Sequence, residues 1–213
     1  MGAVVSLDGL LDERRVWKGR PRAPEIGVEP TGHAVLDAAL PTGGWPPSAL
    51  TELLLEANGC GELQLLWPSL ARLTGSGERV VLVGAPFIPY PPAWQAAGVD
   101  LRWLSLIEAR GTDALWAAEQ CLRSGSCGAV LCWPQKADDR ALRRLQVAAE
   151  TGQTLAFACR PQQEAHNPSP AALRIAVDVR PAQWRVLKCR GGLAPATPIP
   201  FAGRAWFGKG ADH

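Results

Sequence analysis

The sequence predicts an α/β fold built on a mostly parallel central sheet, with an antiparallel hairpin towards its carboxy-terminal end. Three observations carry this. Short apolar runs alternate with helical patterns along the middle of the chain. Two of those runs, Arg79–Val83 and Gly128–Trp133, are apolar almost without interruption, which is how a strand covered on both faces reads. Two later runs, Ala172–Val179 and Gln183–Cys189, alternate instead and are joined by "RPA", as the arms of a hairpin are.

Taken in order, Val4–Val16 reads as an amphipathic helix, with Val4, Leu7, Leu11 and Arg15 on one stripe and Leu10 beside it. The proline- and glycine-rich "GRPRAPEIGVEP" follows as a linker. "PTGHAVLDAALPTGGW" gives a short helix capped by Thr31 and stopped by Pro41. Leu50–Leu55 is a strand and Gly61–Leu73 a helix kinked at Pro68. Arg79–Val83 is a strand, Pro92–Ala97 a short helix, Leu101–Ile107 a strand and Thr112–Arg123 a helix. After the strand Gly128–Trp133, Asp138–Thr151 forms a helix with Leu142, Leu145 and Ala149 inward and Arg140, Arg143 and Arg144 mostly outward. Thr154–Cys159 is the last strand before the hairpin. The organisation is therefore an amino-terminal helix and linker over 1–29, a core over 30–190, and a loose tail over 191–213 that keeps an aromatic cluster, Phe201, Trp206 and Phe207.

Composition narrows the function classes. A chain of 213 residues with 47% hydrophobic and 20% charged residues is an ordinary globular one, long enough for a sizeable core. A net charge of +2 does not imply nucleic-acid binding. Basic residues nevertheless crowd two stretches, Arg14, Arg15, Lys18, Arg20 and Arg22 near the start and Arg185, Lys188, Arg190, Arg204 and Lys209 near the end. The six cysteines form no C-x-x-C pair and the three histidines are scattered, so no metal site is expected. No signal peptide or membrane-spanning run is recognised, and reduced thiols in the cytoplasm are the simple reading.

The stretch that points to chemistry is "TELLLEANGCGELQLLW", Thr51–Trp67. Strand, glycine turn and helix start are the layout of a phosphate-binding loop. Against the signature G-x-x-x-x-G-K-[ST], the chain has Glu56 in place of the first glycine, keeps Gly61, and places Glu62 and Leu63 where lysine and Ser/Thr belong. A carboxylate about 4 Å from a phosphate oxygen repels it by about 1 kcal/mol in bulk water and by several times that at lower effective dielectric. The strand that would end in a magnesium-supporting aspartate ends in Trp133, which cannot ligate a metal. Glu62 reads as a carboxylate favourable at a helix N-terminus.

Longer blocks extend the pattern: "SLDGLL...RRVW.GRP", "TG...LD..LP.GGWP..ALTELL" and "ALWAAEQCLRSG.CGAVLCW". Over roughly residues 1–190 this combination is similar to the ImuA family, RecA-like accessory proteins of bacterial mutagenic translesion synthesis that are often grouped with the SulA division inhibitors. The resemblance implies a RecA-like P-loop NTPase fold with a degenerate nucleotide site at Glu56, Gly61, Glu62, Leu63 and Trp133, and with Pro86 near the place of the catalytic glutamate. It implies no enzymatic activity, no cofactor, and a cytoplasmic SOS-response adaptor. The implied partners are RecA, a polymerase-like protein of the ImuB type, and a damage-inducible replicative-type DNA polymerase. Leu7, Leu10, Leu11, Arg14, Arg15 and Trp17 are candidate docking residues on RecA or a second copy, and Trp206 and Phe207 on the polymerase-like partner. The alternative is a SulA-like inhibitor binding the tubulin-like division GTPase. DNA binding has weak support: the loop Arg160–Ala172, in the place of a RecA DNA loop, offers one arginine and no glycine.

Overall fold

The structure, a computed structural model, describes residues 28–134 and 136–201. Its strands are β1 (Leu50–Leu55), β2 (Val80–Val83), β3 (Leu104–Ile107), β4 (Ala129–Cys132), β5 (Leu155–Pro161), β6 (Leu173–Val179), β7 (Ala182–Cys189) and β8 (Ile199–Pro200). They form one sheet in the order β3-β2-β4-β5-β1-β6-β7-β8. Pairing is parallel from β3 through β6, then antiparallel from β6 to β7 and from β7 to β8. The class is mixed α/β, with a mostly parallel sheet closed by antiparallel strands.

Helices cover both faces, which is why β1, β2 and β4 can be apolar without alternation. The helices are α1 (Ala34–Ala39), α2 (Glu62–Gly75), α3 (Pro91–Ala96), α4 (Gly111–Arg123) and α5 (Asp139–Gly152). One face of the sheet presents Leu53, Phe157 and Ile175 to Leu36 of α1, Leu66 and Leu70 of α2 and Trp94 of α3. The other presents Val81, Val130 and Ala156 to Ala118 and Leu122 of α4 and Leu142 and Leu145 of α5. Each fully buried leucine contributes roughly 2 kcal/mol.

Several boundaries differ from the sequence expectation for physical reasons. Thr31 does not cap α1 through its hydroxyl; its own backbone N–H donates to the Asp37 carboxylate at 2.8 Å, and His33 occupies the cap position. Leu101–Trp103 is a 3-10 turn rather than strand, because Asp100 accepts from the Arg102 backbone N–H and holds the chain in a tight turn. Pro68 does stand inside α2, and the chain passes over it at Gly32, where a Cβ would lie 2.2 Å from the Pro68 Cβ. The segment after Arg190, expected to be loose, adds β8 to the sheet, and Phe201 stacks on Trp184 with centroids 4.8 Å apart.

Candidate functional site

β1 is central, paired with β5 on one side and β6 on the other, and it delivers the 56–61 loop at the carboxyl end of the parallel strands. Open α/β sheets place ligand sites at that edge. The loop turns at Gly59 (φ 81°) and Gly61 (φ 123°), the second of which is the N-cap of α2. Backbone at φ 123° is essentially closed to residues with a Cβ. Its turn brings two loop amides round onto one point.

That point is filled from within. The Glu62 side chain folds back so that Oε1 accepts from the Gly59 N–H at 2.8 Å and Oε2 from the Gly61 N–H at 3.2 Å. Glu62 is only 2% exposed. Its carboxylate lies at the first turn of a 14-residue helix, where the helix dipole favours negative charge. Hydrogen bonds to a charged acceptor are stronger than those between neutral groups. A phosphate entering here would have to displace a carboxylate already holding the donors it needs.

The surroundings are apolar rather than polar. Trp133, just beyond the end of β4, is buried in the core with its indole N–H making no hydrogen bond. The Phe201 ring lies 3.5 Å from where a Cβ on Gly61 would stand, and the Phe87 ring 3.5 Å from the corresponding point on Gly59. Leu63 packs half-buried against the core. Glu56 is exposed and accepts from the Val179 N–H at 3.2 Å, tying the loop to the end of β6. Of the residues read as a degenerate nucleotide site, Gly61 and Glu62 are thus in direct hydrogen-bond contact; Glu56 and Trp133 each meet other elements.

Cys60 is half-buried in the loop, and burial, with Glu62 and Glu56 nearby, pushes its thiol up. Cys132 is pushed up to about 12 by burial, and Cys159 is raised for the same reason. Thiols so raised are protonated at neutral pH and are poor nucleophiles. Among the described residues no group of three His, Cys, Asp or Glu side chains could hold a metal ion. No helix among them is long and apolar enough to cross a membrane.

A second polar site escaped the sequence reading. Glu52, 0% exposed in the middle of β1, takes a bond from Arg160 Nη1 at 2.7 Å and lies 2.8 Å from Arg174 Nε. The Arg174 contact is poorly aligned for a hydrogen bond, so it acts as an ion pair. Arg160 also reaches Glu164 Oε2 at 2.9 Å and the Ala137 carbonyl at 2.6 Å, while Arg174 donates to the Glu164 and Ala165 carbonyls. Two cations and two carboxylates balance, and the cluster clamps the 162–166 turn over β1 and β6. The signal was present in "LTELLL": a lone carboxylate in a buried apolar run requires a cation.

The cluster also bears on the weak case for DNA binding through Arg160–Ala172. Arg160 is 3% exposed and is committed to Glu52 and Glu164, so it is not offered to a phosphate backbone. A cavity of about 490 Å³ opens beside it, against the start of α5. Its polar wall is internally satisfied, with Asp138 capping Ala141, Asp139 paired with Arg143, and Glu164 with Arg160 and Asn167. On α5, Arg144 pairs with Glu119 of α4, so the arginine face is largely neutralised. Leu7, Leu10, Leu11, Arg14, Arg15, Trp17, Trp206 and Phe207 lie outside the described residues.

No family model matches the sequence. Over 105 residues, 47% of the chain, it is 35% identical to the "Cell division inhibitor SulA" of Edwardsiella piscicida. The chain is homologous to a SulA protein over that stretch. The match spans 61% of the relative's length. The crystal structure of SulA from Pseudomonas aeruginosa aligns with 52% of this chain and 97% of its own, at 24% identity and a TM-score of 0.45.

Proposed function

We propose that this chain is a non-catalytic protein of the DNA-damage response that works by protein contacts. The observation that carries the reading is the Glu62 carboxylate seated on the Gly59 and Gly61 amides, where a nucleotide would need its phosphates. A RecA-like fold with a disused nucleotide loop accounts for the strand–glycine turn–helix layout and for Trp133 at the end of β4. The similarity to a division inhibitor supports a SulA-like role, in which the chain binds the tubulin-like division GTPase and delays division after damage. A second reading, the ImuA-type adaptor of translesion synthesis, draws on "SLDGLL...RRVW.GRP" and "ALWAAEQCLRSG.CGAVLCW", blocks that extend the resemblance across roughly residues 1–190. In that reading the partners are RecA and the polymerase-like and replicative-type polymerases.

The two readings separate in one binding experiment. The purified full chain is titrated against the division GTPase, RecA and the polymerase-like protein of the same organism. Micromolar or tighter binding to the GTPase, with inhibition of its polymerisation, is the expected result. Binding to the polymerase-like protein without any to the GTPase would transfer the role to translesion synthesis. ATP hydrolysis above a heat-treated control would overturn both.

A further inference from the structure

We infer that the loop between β2 and α3 is a preformed apolar knuckle that inserts into an apolar cleft of a different protein. The segment "GAPFIPYPP", Gly84–Pro92, exposes Phe87 (65%), Ile88 (90%) and Tyr90 (66%) within four residues. The other exposed large apolar residues among those described are dispersed along the chain, which is ordinary for a surface. Here they are contiguous, and the loop holds them out on a rigid base. β2 is fully buried, the Gly84 N–H donates to the Ile107 carbonyl at 3.0 Å, and Trp94 of α3 is buried edge-on against Trp67 at 4.7 Å. Pro86, Pro89, Pro91 and Pro92 fix φ through the loop, so little backbone freedom is left to lose on binding.

The chemistry of the occupant follows from what surrounds the knuckle. The loop itself carries no charge, and the 108–110 turn packed against Gly84 brings one acid and one base, Glu108 and Arg110, which offset each other, so no net basic rim is offered to a nucleic acid or an anionic membrane. The three side chains expose roughly 400 Å². That is about half of the 800 Å² each partner gives to a standard interface. It suits the anchoring centre of a transient heteromeric contact and falls short of a permanent dimer. The inference rests on the reading that the chain acts by protein contacts, and it adds the surface and the apolar character of the partner's cleft.

The test places a photo-crosslinking benzoylphenylalanine at Ile88, or at exposed Gln120 on α4 as control, in the full chain in DNA-damaged cells. The expected result is one protein, identified by mass spectrometry and not the chain itself, captured from position 88 and not from position 120. That protein, purified, should bind wild type at least tenfold more tightly than the Ile88→Ser/Tyr90→Ser variant, with little dependence on salt. Both side chains are exposed, so the variant should melt as wild type does. Capture from position 88 of nothing above control, or of the chain itself alone, overturns the knuckle, as does equal affinity for wild type and variant or capture replaced by binding to lipid vesicles. If the captured protein has no part in division or lesion bypass, the knuckle stands and the function proposed above fails.

Discussion

Glu52 and Glu62 are buried carboxylates ten positions apart, and they are satisfied in opposite ways. Glu62 is held by backbone amides of its own loop, three residues and one residue away. Glu52 is held by arginines of β5 and β6, the first 108 residues away. A carboxylate that closes on its own backbone shapes one turn. A carboxylate that closes on distant side chains fixes how β1, β5, β6 and the 162–166 turn fit together. The first is a local decision about one loop, and the second a global one about the fold.

The largest expected effect tests the second half of that contrast. Glu52→Ala leaves Arg160 and Arg174 buried with Glu164 as their one carboxylate. Breaking a buried pair this way costs about 3–5 kcal/mol. For a chain of this size the melting temperature should fall by on the order of 10 °C, read by calorimetry. Replacing Glu52, Arg160 and Arg174 together by Leu, Met and Leu should recover most of the loss, because the one charge left, on Glu164, is 30% exposed and still accepts from Asn167. A single mutant that melts like wild type would break the comparison.

Glu62→Ala comes next. It removes the acceptor for two loop amides and a favourable charge at a helix start, for about 2 kcal/mol. The signature should stay local: hydrogen exchange should quicken at Gly59 and Gly61 and at the first turn of α2, and change little in β5 and β6. Exchange rising across the whole sheet would show that Glu62 is as global as Glu52.

The smallest effect sharpens the contrast with a half-local carboxylate. Asp178 on β6 accepts from Arg185 at 2.6 and 2.9 Å and from Gln162 and Gln183 at 3.0 Å each. The Arg185 guanidinium, foremost, holds its carboxyl below the usual range, with Gln183 and Gln162 adding to the effect. A folded value below the unfolded one of about 3.9 contributes stability above that pH and loses it as the pH falls through the folded value. Asp178→Asn should therefore destabilise by about 1 kcal/mol at neutral pH, a low figure because Arg185 is 40% exposed. Urea titrations should show the gap between variant and wild type closing below about pH 4. A gap that persists in acid would mean that shape, not charge, holds this corner.

The same contrast explains what the sequence made legible. β1, β2 and β4 could be read from continuous apolar runs, and the hairpin from its alternation, because burial on two faces or one leaves a pattern in adjacent residues. Glu62 could be read as a capping carboxylate since its partners are neighbours in the chain. The Glu52 cluster was hidden because Arg160 and Arg174 look like single surface cations at the ends of strands until the sheet order brings them beside β1. β8 was hidden for a similar reason: Ile199 and Phe201 are placed by Trp184, on a strand that precedes them in a different segment. Thr31 does not cap the helix because its hydroxyl accepts from the His33 N–H and its own N–H goes to Asp37, six residues on.

In the function proposed above, the loop's own carboxylate stands in the place of a phosphate. This is tested most directly by following the Gly59 and Gly61 amide resonances while ATP–Mg²⁺ is titrated into the wild-type chain. Neither resonance should move up to millimolar nucleotide, and Glu62→Lys alone should leave hydrolysis undetectable. Saturable shifts at both glycines with a micromolar dissociation constant in the wild-type chain would contradict it.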